Sequence, residues 1–174
     1  MTHLDMPIEQ LVRRTDTRFQ YGFANEARNA VPHRGDFVLA SSHRGLHVLA
    51  RNEESLVPPV EALRDLYGDR LDLEPPRVRL IEGVQVHEPV MQVRISTELG
   101  FLEAVKGALG ARGANPSEEY VRSRFCVLRY EAPLADLLGL PAELERLTLG
   151  TAQHWIVLSH YALVTRDPGG GRAA

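Results

Sequence analysis

The most restrictive feature of this sequence is the change of hydrophobic period along residues 88–164. Apolar residues alternate with polar ones over residues 91–95, the pattern of a strand with one buried face, and this strand stops near Thr97. Apolar residues then recur at three- and four-residue spacing over 101–109, which predicts an amphipathic helix. Because a threonine hydroxyl can accept a hydrogen bond from the first turn of a helix, we predict Thr97 as the N-cap.

The periods keep changing toward the end of this region. Residues 124–131 alternate and contain aromatic side chains, which predicts a strand that belongs to a pair. A short helix starts at Pro133, and residues 155–161 form an apolar run of strand length. The order strand, helix, strand, strand, helix, strand predicts a ferredoxin-like α+β unit.

The first half of the chain shows a weaker α+β pattern. Residues 7–14 predict a short helix, and the aromatic residues that alternate over 19–23 predict a strand. Two β-rich runs within 36–51 flank a turn that contains Gly45, as in a β-hairpin. Residues 58–67 begin with two prolines suited to a first helical turn and predict a helix. We expect a smaller α+β unit here, which can itself be ferredoxin-like.

Composition indicates a folded protein without a dominant electrostatic preference. The chain has 44% hydrophobic and 25% charged residues, within the normal globular range. A formal net charge of -3 gives no overall attraction to phosphate backbones, so charge does not support a nucleic-acid partner. No apolar run approaches the length needed to cross a bilayer, so we expect a cytoplasmic protein without a membrane partner. The single cysteine, Cys126, lies in an apolar run and is interpreted as a buried free thiol.

Four segments of the second half match a known family in order and with nearly the same spacing. Residues 88–95, 133–139, 144–150 and 159–161 resemble E-P-V-M-x-V, P-L-A-E-x-F-G, L-R-S-L-T-x-G and S-H-Y, in that order. These are motifs of the C-terminal domain of translation elongation factor G, and the resemblance covers residues 88–164. A fainter resemblance covers residues 36–83, where 44–47 is similar to the G-E-L-H of the third domain of the same factor.

The GTPase of that family is missing from these residues. A P-loop needs a glycine-rich turn ending in lysine followed by serine or threonine, because these groups hold the phosphates and magnesium. The only lysine, Lys106, is followed by Gly107. The resemblance therefore implies a detached module that, in the family, packs beside the GTPase and faces the factor-binding region of the ribosome.

Other site chemistries receive little support from the sequence. Neither His43 with His47 nor His154 with His160 shows a standard metal-ligand spacing with a third ligand, although 154 and 160 are expected on one strand face. Cys126 or a serine would need a base and an orienting group, which one sequence cannot place in space. Phe125 and Tyr130, beside Arg129, resemble only weakly the exposed aromatic and basic residues of an RNA-binding sheet. Core packing is therefore the preferred interpretation of both aromatic residues.

We therefore predict a non-enzymatic translation-factor-like module without a cofactor, bound to the ribosome or to a ribosome-associated protein. One alternative is an assembly module that forms a homodimer through its sheets, and another is small-molecule binding in a cleft between the halves. The predicted division is an extension over 1–35, an α+β unit over 36–87, the C-terminal domain over 88–165 and a disordered tail over 166–174. The candidate interaction residues, several of which also serve as fold determinants, are Gly45, His47, Thr148, Gly150, His160 and Tyr161.

Overall fold

A computed structural model describes residues 5–32, 35–114 and 116–164. Contacts between Cα atoms divide the chain into two compact units, Met1–Arg79 and Leu80–Ala174. The tail predicted over 166–174 lies outside the described residues. The boundaries predicted at residues 36, 88 and 165 stay predictions, since a division by contacts does not test where an independently folding domain starts.

The first unit is built around one antiparallel sheet. Its elements are β1 Ile8–Arg14, α1 Gln20–Ala30, β2 Phe37–Ser42, β3 Gly45–Ala50, α2 Val57–Tyr67, β4 Leu71–Leu73 and β5 Arg77–Val78. The strand order is β2-β3-β1-β4, and β5 also pairs with β1. A βαββαβ chain with this strand order is ferredoxin-like, so both parts of the predicted α+β architecture are present.

Two of the predicted elements in the first unit are wrong. Residues 7–14 were expected to be helical, but Ile8–Arg14 is strand β1. Ile8 and Val12 are buried on one face and Leu11 on the other, so a strand buried on both sides imitates helical spacing. The strand expected over 19–23 is instead the N-cap Phe19 and the start of helix α1, and only Phe23 of the three aromatic residues is buried.

The hairpin and the second helix of this unit are confirmed. Strands β2 and β3 pair from Phe37↔Ala50 to Ser42↔Gly45, and α2 starts with prolines in its first turn and ends at Gly68. The sequence suggested that Gly45 is needed by the hairpin turn, but the structure gives a different reason. Gly45 has φ +140°, and a Cβ atom there would lie 2.4 Å from the carbonyl oxygen of Val12. The glycine is thus required by the close approach of strand β1.

The second unit has the predicted order of elements around a second antiparallel sheet. These elements are β6 His87–Glu98, α3 Leu102–Ala111, β7 Glu118–Arg122, β8 Phe125–Pro133, α4 Leu134–Leu137, α5 Leu140–Leu147 and β9 Gln153–Leu163. The sheet order is β7-β8-β6-β9. In order of appearance this is 2-3-1-4, so the ferredoxin-like prediction for the second half is confirmed.

The start of helix α3 differs from the prediction. Thr97 is not its N-cap, because β6 continues through Glu98 and a turn of 3-10 helix over Leu99–Phe101 precedes α3. Thr97 is fully buried on the core face of β6, beside Ile95. The hydroxyl therefore belongs to the sheet's core layer and not to the helix end.

Alternation within β8 separates the two aromatic residues assigned to the core. Tyr130 is 2% exposed and packs in the core, as predicted. Phe125 is 46% exposed, so the core interpretation of this residue is wrong. The two residues are separated by an odd number of positions, and their side chains must therefore point to opposite faces of the strand.

Candidate functional site

One face of the second sheet is left open to solvent. The core face carries Val93, Ile95 and Ile156, on which the helices of this unit pack. The opposite face carries the alternate residues, and the register aligns Arg94 with both Arg129 and Trp155 across three strands. Because directly opposed residues in an antiparallel sheet point to the same side, these three side chains share the open face.

A shallow hollow lies on this open face. Its volume is about 390 Å³, and its lining residues are Gln92, Val93, Arg94, Arg129, Trp155 and Val157. The Arg94 guanidinium lies over the indole of Trp155, with 5.4 Å between Cζ and the ring centroid. This distance is that of a cation–π contact, which holds a large exposed ring in one orientation.

Further apolar side chains extend the face beyond the hollow. Trp155 and Tyr120 are each 63% exposed, and Phe125 and Val157 are about half exposed. Scattered single apolar residues are normal on a surface, but a contiguous group indicates an interaction site. Arg129 also forms an ion pair with Glu118 at 3.5 Å. The face therefore combines exposed aromatic rings with this ion pair and with the guanidinium of Arg94 over Trp155.

A β-bulge changes the expected orientation of the two histidines on β9. Val90 pairs with His160 and Met91 with Leu158, so Ser159 is the extra residue. His154 lies opposite Ile95 on the core face, whereas His160 lies opposite Val90 on the open face. The prediction that residues 154 and 160 share a face is wrong, because a bulge reverses the alternation beyond it.

His160 and Tyr161 form one of the predicted site groups. Ser159 Oγ donates a hydrogen bond of 2.6 Å to Glu131, and His160 Nδ1 lies 3.2 Å from Ser159 Oγ. Tyr161 pairs with Pro89 and is half-buried. His160 is therefore exposed at one end of the open face, while Tyr161 points to the other side.

Thr148 and Gly150 form a second group, in the connection between α5 and β9. Thr148 is fully buried, its Oγ1 donates to Leu144 O at 2.7 Å, and it accepts a bond from the amide of Ala152. Gly150 has φ +76° and its amide donates to Glu145 O. These contacts terminate the helix. They precede β9, whereas His160 lies near its far end, so at least roughly 20 Å of strand separates the two groups.

Gly45 and His47 belong to the sheet of the first unit. Gly45 has the backbone role described above, and His47 lies between Ser42 and Glu9. Sequence reasoning missed these two partners, and it also missed Arg94 and Trp155. The single tryptophan was a usable signal, but the apolar run around it does not reveal which residues face outward.

Burial perturbs two groups in the second unit without making a reactive site. Desolvation raises the pKa of the Cys126 thiol, and Cys126 is buried as predicted. Burial raises the pKa of Tyr130 far above its ordinary value. Within residues 5–32, 35–114 and 116–164, no group of three or more His, Cys, Asp or Glu side chains is arranged to hold a metal ion. No helix in those ranges is long and apolar enough to cross a membrane.

The βαββαβ order and the sheet order define the second unit as a ferredoxin-like domain with one open sheet face. Residues 85–169 match the family described as Elongation factor G C-terminus. A segment of 75 residues is 36% identical to elongation factor G 2 of Hahella chejuensis (strain KCTC 2396), and this match covers 43% of the chain and 11% of that protein.

Residues 85–169 thus match the elongation factor G C-terminal domain, as the motifs over 88–164 predicted. The chain spans only a small part of the curated relative that it matches. These 174 residues carry no GTPase domain. The resemblance of residues 36–83 to the third domain of the factor stays a prediction.

Proposed function

We propose that this protein is a translation-factor-like module that binds the ribosome through the open face of its second sheet. The observation that carries the proposal is the exposed hollow of Trp155 and Arg94 on an elongation factor G C-terminal domain. Because these 174 residues contain no GTPase, nucleotide hydrolysis within them would not switch binding. Such a role places the protein in the cytoplasm.

The composition of the face supports a docking role. Tryptophan and arginine are the residues most enriched among those that dominate binding energy at interfaces. Trp155 is a rigid ring whose burial by a partner would remove much apolar surface from water. Arg94 and Arg129 supply guanidinium groups that can pair with a phosphate or a carboxylate. These features fit a partner surface with a projecting ring or acidic group.

Co-sedimentation with purified bacterial ribosomes tests the proposal. The wild-type chain is expected to pellet with ribosomes at low salt, and Trp155→Ala to weaken binding at least tenfold, which corresponds to about 1.4 kcal/mol. Phe19→Ala is a matched control, because Phe19 is an exposed ring (67%) in the first unit. This control should bind like the wild type.

Two results would contradict the proposal in different ways. If the wild-type chain stays in the supernatant while intact elongation factor G pellets, the ribosome is not its partner. If Trp155→Ala binds as well as the wild type, a different surface makes the contact. A wild-type dimer in light scattering that Trp155→Ala converts to a monomer would instead assign the face to a second copy of the chain. Small-molecule binding between the halves stays a prediction.

A further inference from the structure

Three polar side chains of the first unit form a hydrogen-bonded series. Ser42 Oγ lies 2.7 Å from His47 Nε2, and His47 Nδ1 contacts Oε1 of Glu9. The hydroxyl and the carboxylate therefore meet opposite nitrogens of one imidazole. This is the connectivity of a serine nucleophile, a general base and an orienting acid.

The strand register explains how distant residues reach this arrangement. His47 on β3 pairs with Ala40 on β2 and with Leu11 on β1. Ser42 is two residues after Ala40 and Glu9 two residues before Leu11, so both lie on the same sheet face as His47. Glu9 lies 38 residues from His47 in sequence, and only the sheet brings the two together.

The contacts select the tautomer that such a series needs. A carboxylate is only an acceptor, so Nδ1 must carry the proton that it shares with Glu9. In the neutral imidazole, Nε2 then holds the lone pair, and it lies 2.7 Å from Ser42 Oγ. Arg79 Nε lies 3.9 Å from the other oxygen of Glu9, so this carboxylate contacts both the imidazole and a guanidinium.

The surroundings of the serine leave it open to a reagent. The side chains of His47 and Glu9 are 18% and 31% exposed, and Ser42 is half-buried at the end of β2. The Ser42 hydroxyl also donates a hydrogen bond of 3.2 Å to Gly45 O, so Gly45 O and His47 Nε2 compete for its one proton, and the contact to His47 is the shorter of the two. The backbone N–H of Arg44 donates to Ser42 Oγ at 3.1 Å, so a backbone donor lies beside the atom that would attack.

We propose that Ser42 is a nucleophile that is acylated by small activated esters, with His47 as its general base and Glu9 as a positioning residue. Ser42 Oγ would attack the carbonyl carbon while His47 Nε2 takes the hydroxyl proton. The ester C–O bond would then break, and the leaving oxygen would receive that proton from Nε2. Water would cleave the acyl-serine by the same proton transfers, releasing the acid and restoring the hydroxyl. This activity lies in the first unit and goes beyond ribosome binding.

Small substrates fit this site best, because Ser42 stands at a hairpin end and not at the bottom of a deep pocket. The amide of Arg44 donates to Ser42 Oγ itself, whereas efficient acyl-transfer enzymes aim at least two donors at the position of the oxyanion. We therefore expect covalent labelling of Ser42 to be a stronger signal than turnover.

A fluorophosphonate probe tests the proposal without ribosomes. Attack by Ser42 would form a P–O bond, expel fluoride and pass the proton to His47. Peptide mass spectrometry should locate the adduct on Ser42, and Ser42→Ala should abolish it. His47→Gln should slow labelling about 100-fold or more. Ser159→Ala is a matched control, because Ser159 bonds a carboxylate and contacts His160 without an imidazole between the hydroxyl and the acid.

The positioning role of Glu9 needs a measurement that would not change if Glu9 only stabilised the fold. Nitrogen-15 shifts of the imidazole should show the Nδ1–H tautomer in the wild type, and Glu9→Gln should reduce that population and slow labelling about tenfold. Circular dichroism would establish that each variant is folded. An unlabelled Ser42 in the folded wild type, or a labelling rate that His47→Gln leaves unchanged, would overturn the proposal. Neither result would bear on ribosome binding.

Discussion

The guanidinium of Arg94 on β6 lies over the indole ring of Trp155 on β9, with 5.4 Å between Cζ and the ring centroid. The two residues are directly opposed in the sheet register, so the contact needs no distortion of the strands. It holds an exposed ring of the open face beside a hollow of about 390 Å³.

A double-mutant cycle should measure this contact. Arg94→Ala, Trp155→Ala and the double variant should give a coupling of about 0.5–1 kcal/mol in the free energy of unfolding, since the pair is exposed. Far-UV circular dichroism in urea is suitable, because one variant removes the only tryptophan. A coupling of zero would mean that the ring keeps its orientation without Arg94.

The buried hydroxyl of Tyr130 should lower the stability of the second unit, so that removing it by Tyr130→Phe is expected to be stabilising. Tyr130 is 2% exposed, and its hydroxyl has no hydrogen-bond partner within the described parts of the chain. Tyr130→Phe should therefore raise the free energy of unfolding of the second unit by about 1–2 kcal/mol. The fluorescence of Trp155 in a denaturant titration reports on this unit.

Tyr67 provides the matched control for that substitution. Its hydroxyl donates a 3.2 Å hydrogen bond to Glu26, so Tyr67→Phe should lower the stability of the first unit, as seen by amide hydrogen exchange. Equal effects of the two substitutions would show that the Tyr130 hydroxyl does have a partner in solution.

Tyr130 should also make the second unit sensitive to alkali. Burial raises the pKa of Tyr130 in the folded state above its value of about 10 in the unfolded chain. Between these two values the folded state binds the proton and the unfolded state does not, so stability falls as pH rises. The loss should begin near pH 10, at about 1.4 kcal/mol per pH unit.

Denaturant titrations from pH 8 to about 11 would check this dependence. Tyr130→Phe should remove that part of the slope and leave the contribution of other titrating groups. An unchanged slope would show that another group causes the alkaline loss.

Replacement of Gly45 should damage the first unit. Gly45→Ala would place a Cβ atom 2.4 Å from Val12 O at a φ of +140°, a conformation that residues with a side chain rarely adopt. We expect a loss of at least about 2 kcal/mol, measured by hydrogen exchange of the β1 and β3 amides. Gly35→Ala is the matched control, since no atom lies within 4 Å of the added carbon. If both variants exchange alike, strand β1 can move away without cost.

Local sequence patterns predicted the second unit well because its elements, apart from the exposed strand β7, each have one buried face. Alternation over 91–95 and the helical spacing over 101–109 record that burial directly. The first unit was harder to predict. Strand β1 is buried on both faces and so lost its alternation, while three aromatic residues at the start of α1 produced an alternation unrelated to pairing.

The candidate site was predicted less well than the fold. Thr148 and Gly150 were found through motifs, and the structure gives both a part in ending helix α5. Trp155 was hidden in an apolar run, and its exposure depends on the register with β6. The bulge at Ser159, which sends His160 to the open face, left no local signal.

The sequence by itself determined the order of helices and strands over 88–164, the relationship to elongation factor G and the lack of a P-loop in these residues. These properties depend on local spacing and on motifs that are contiguous in the chain. Only the tertiary structure decided that Arg94 covers Trp155 and that His47 joins Ser42 to Glu9. Both relationships depend on strand register, which is set by pairing between residues far apart in sequence.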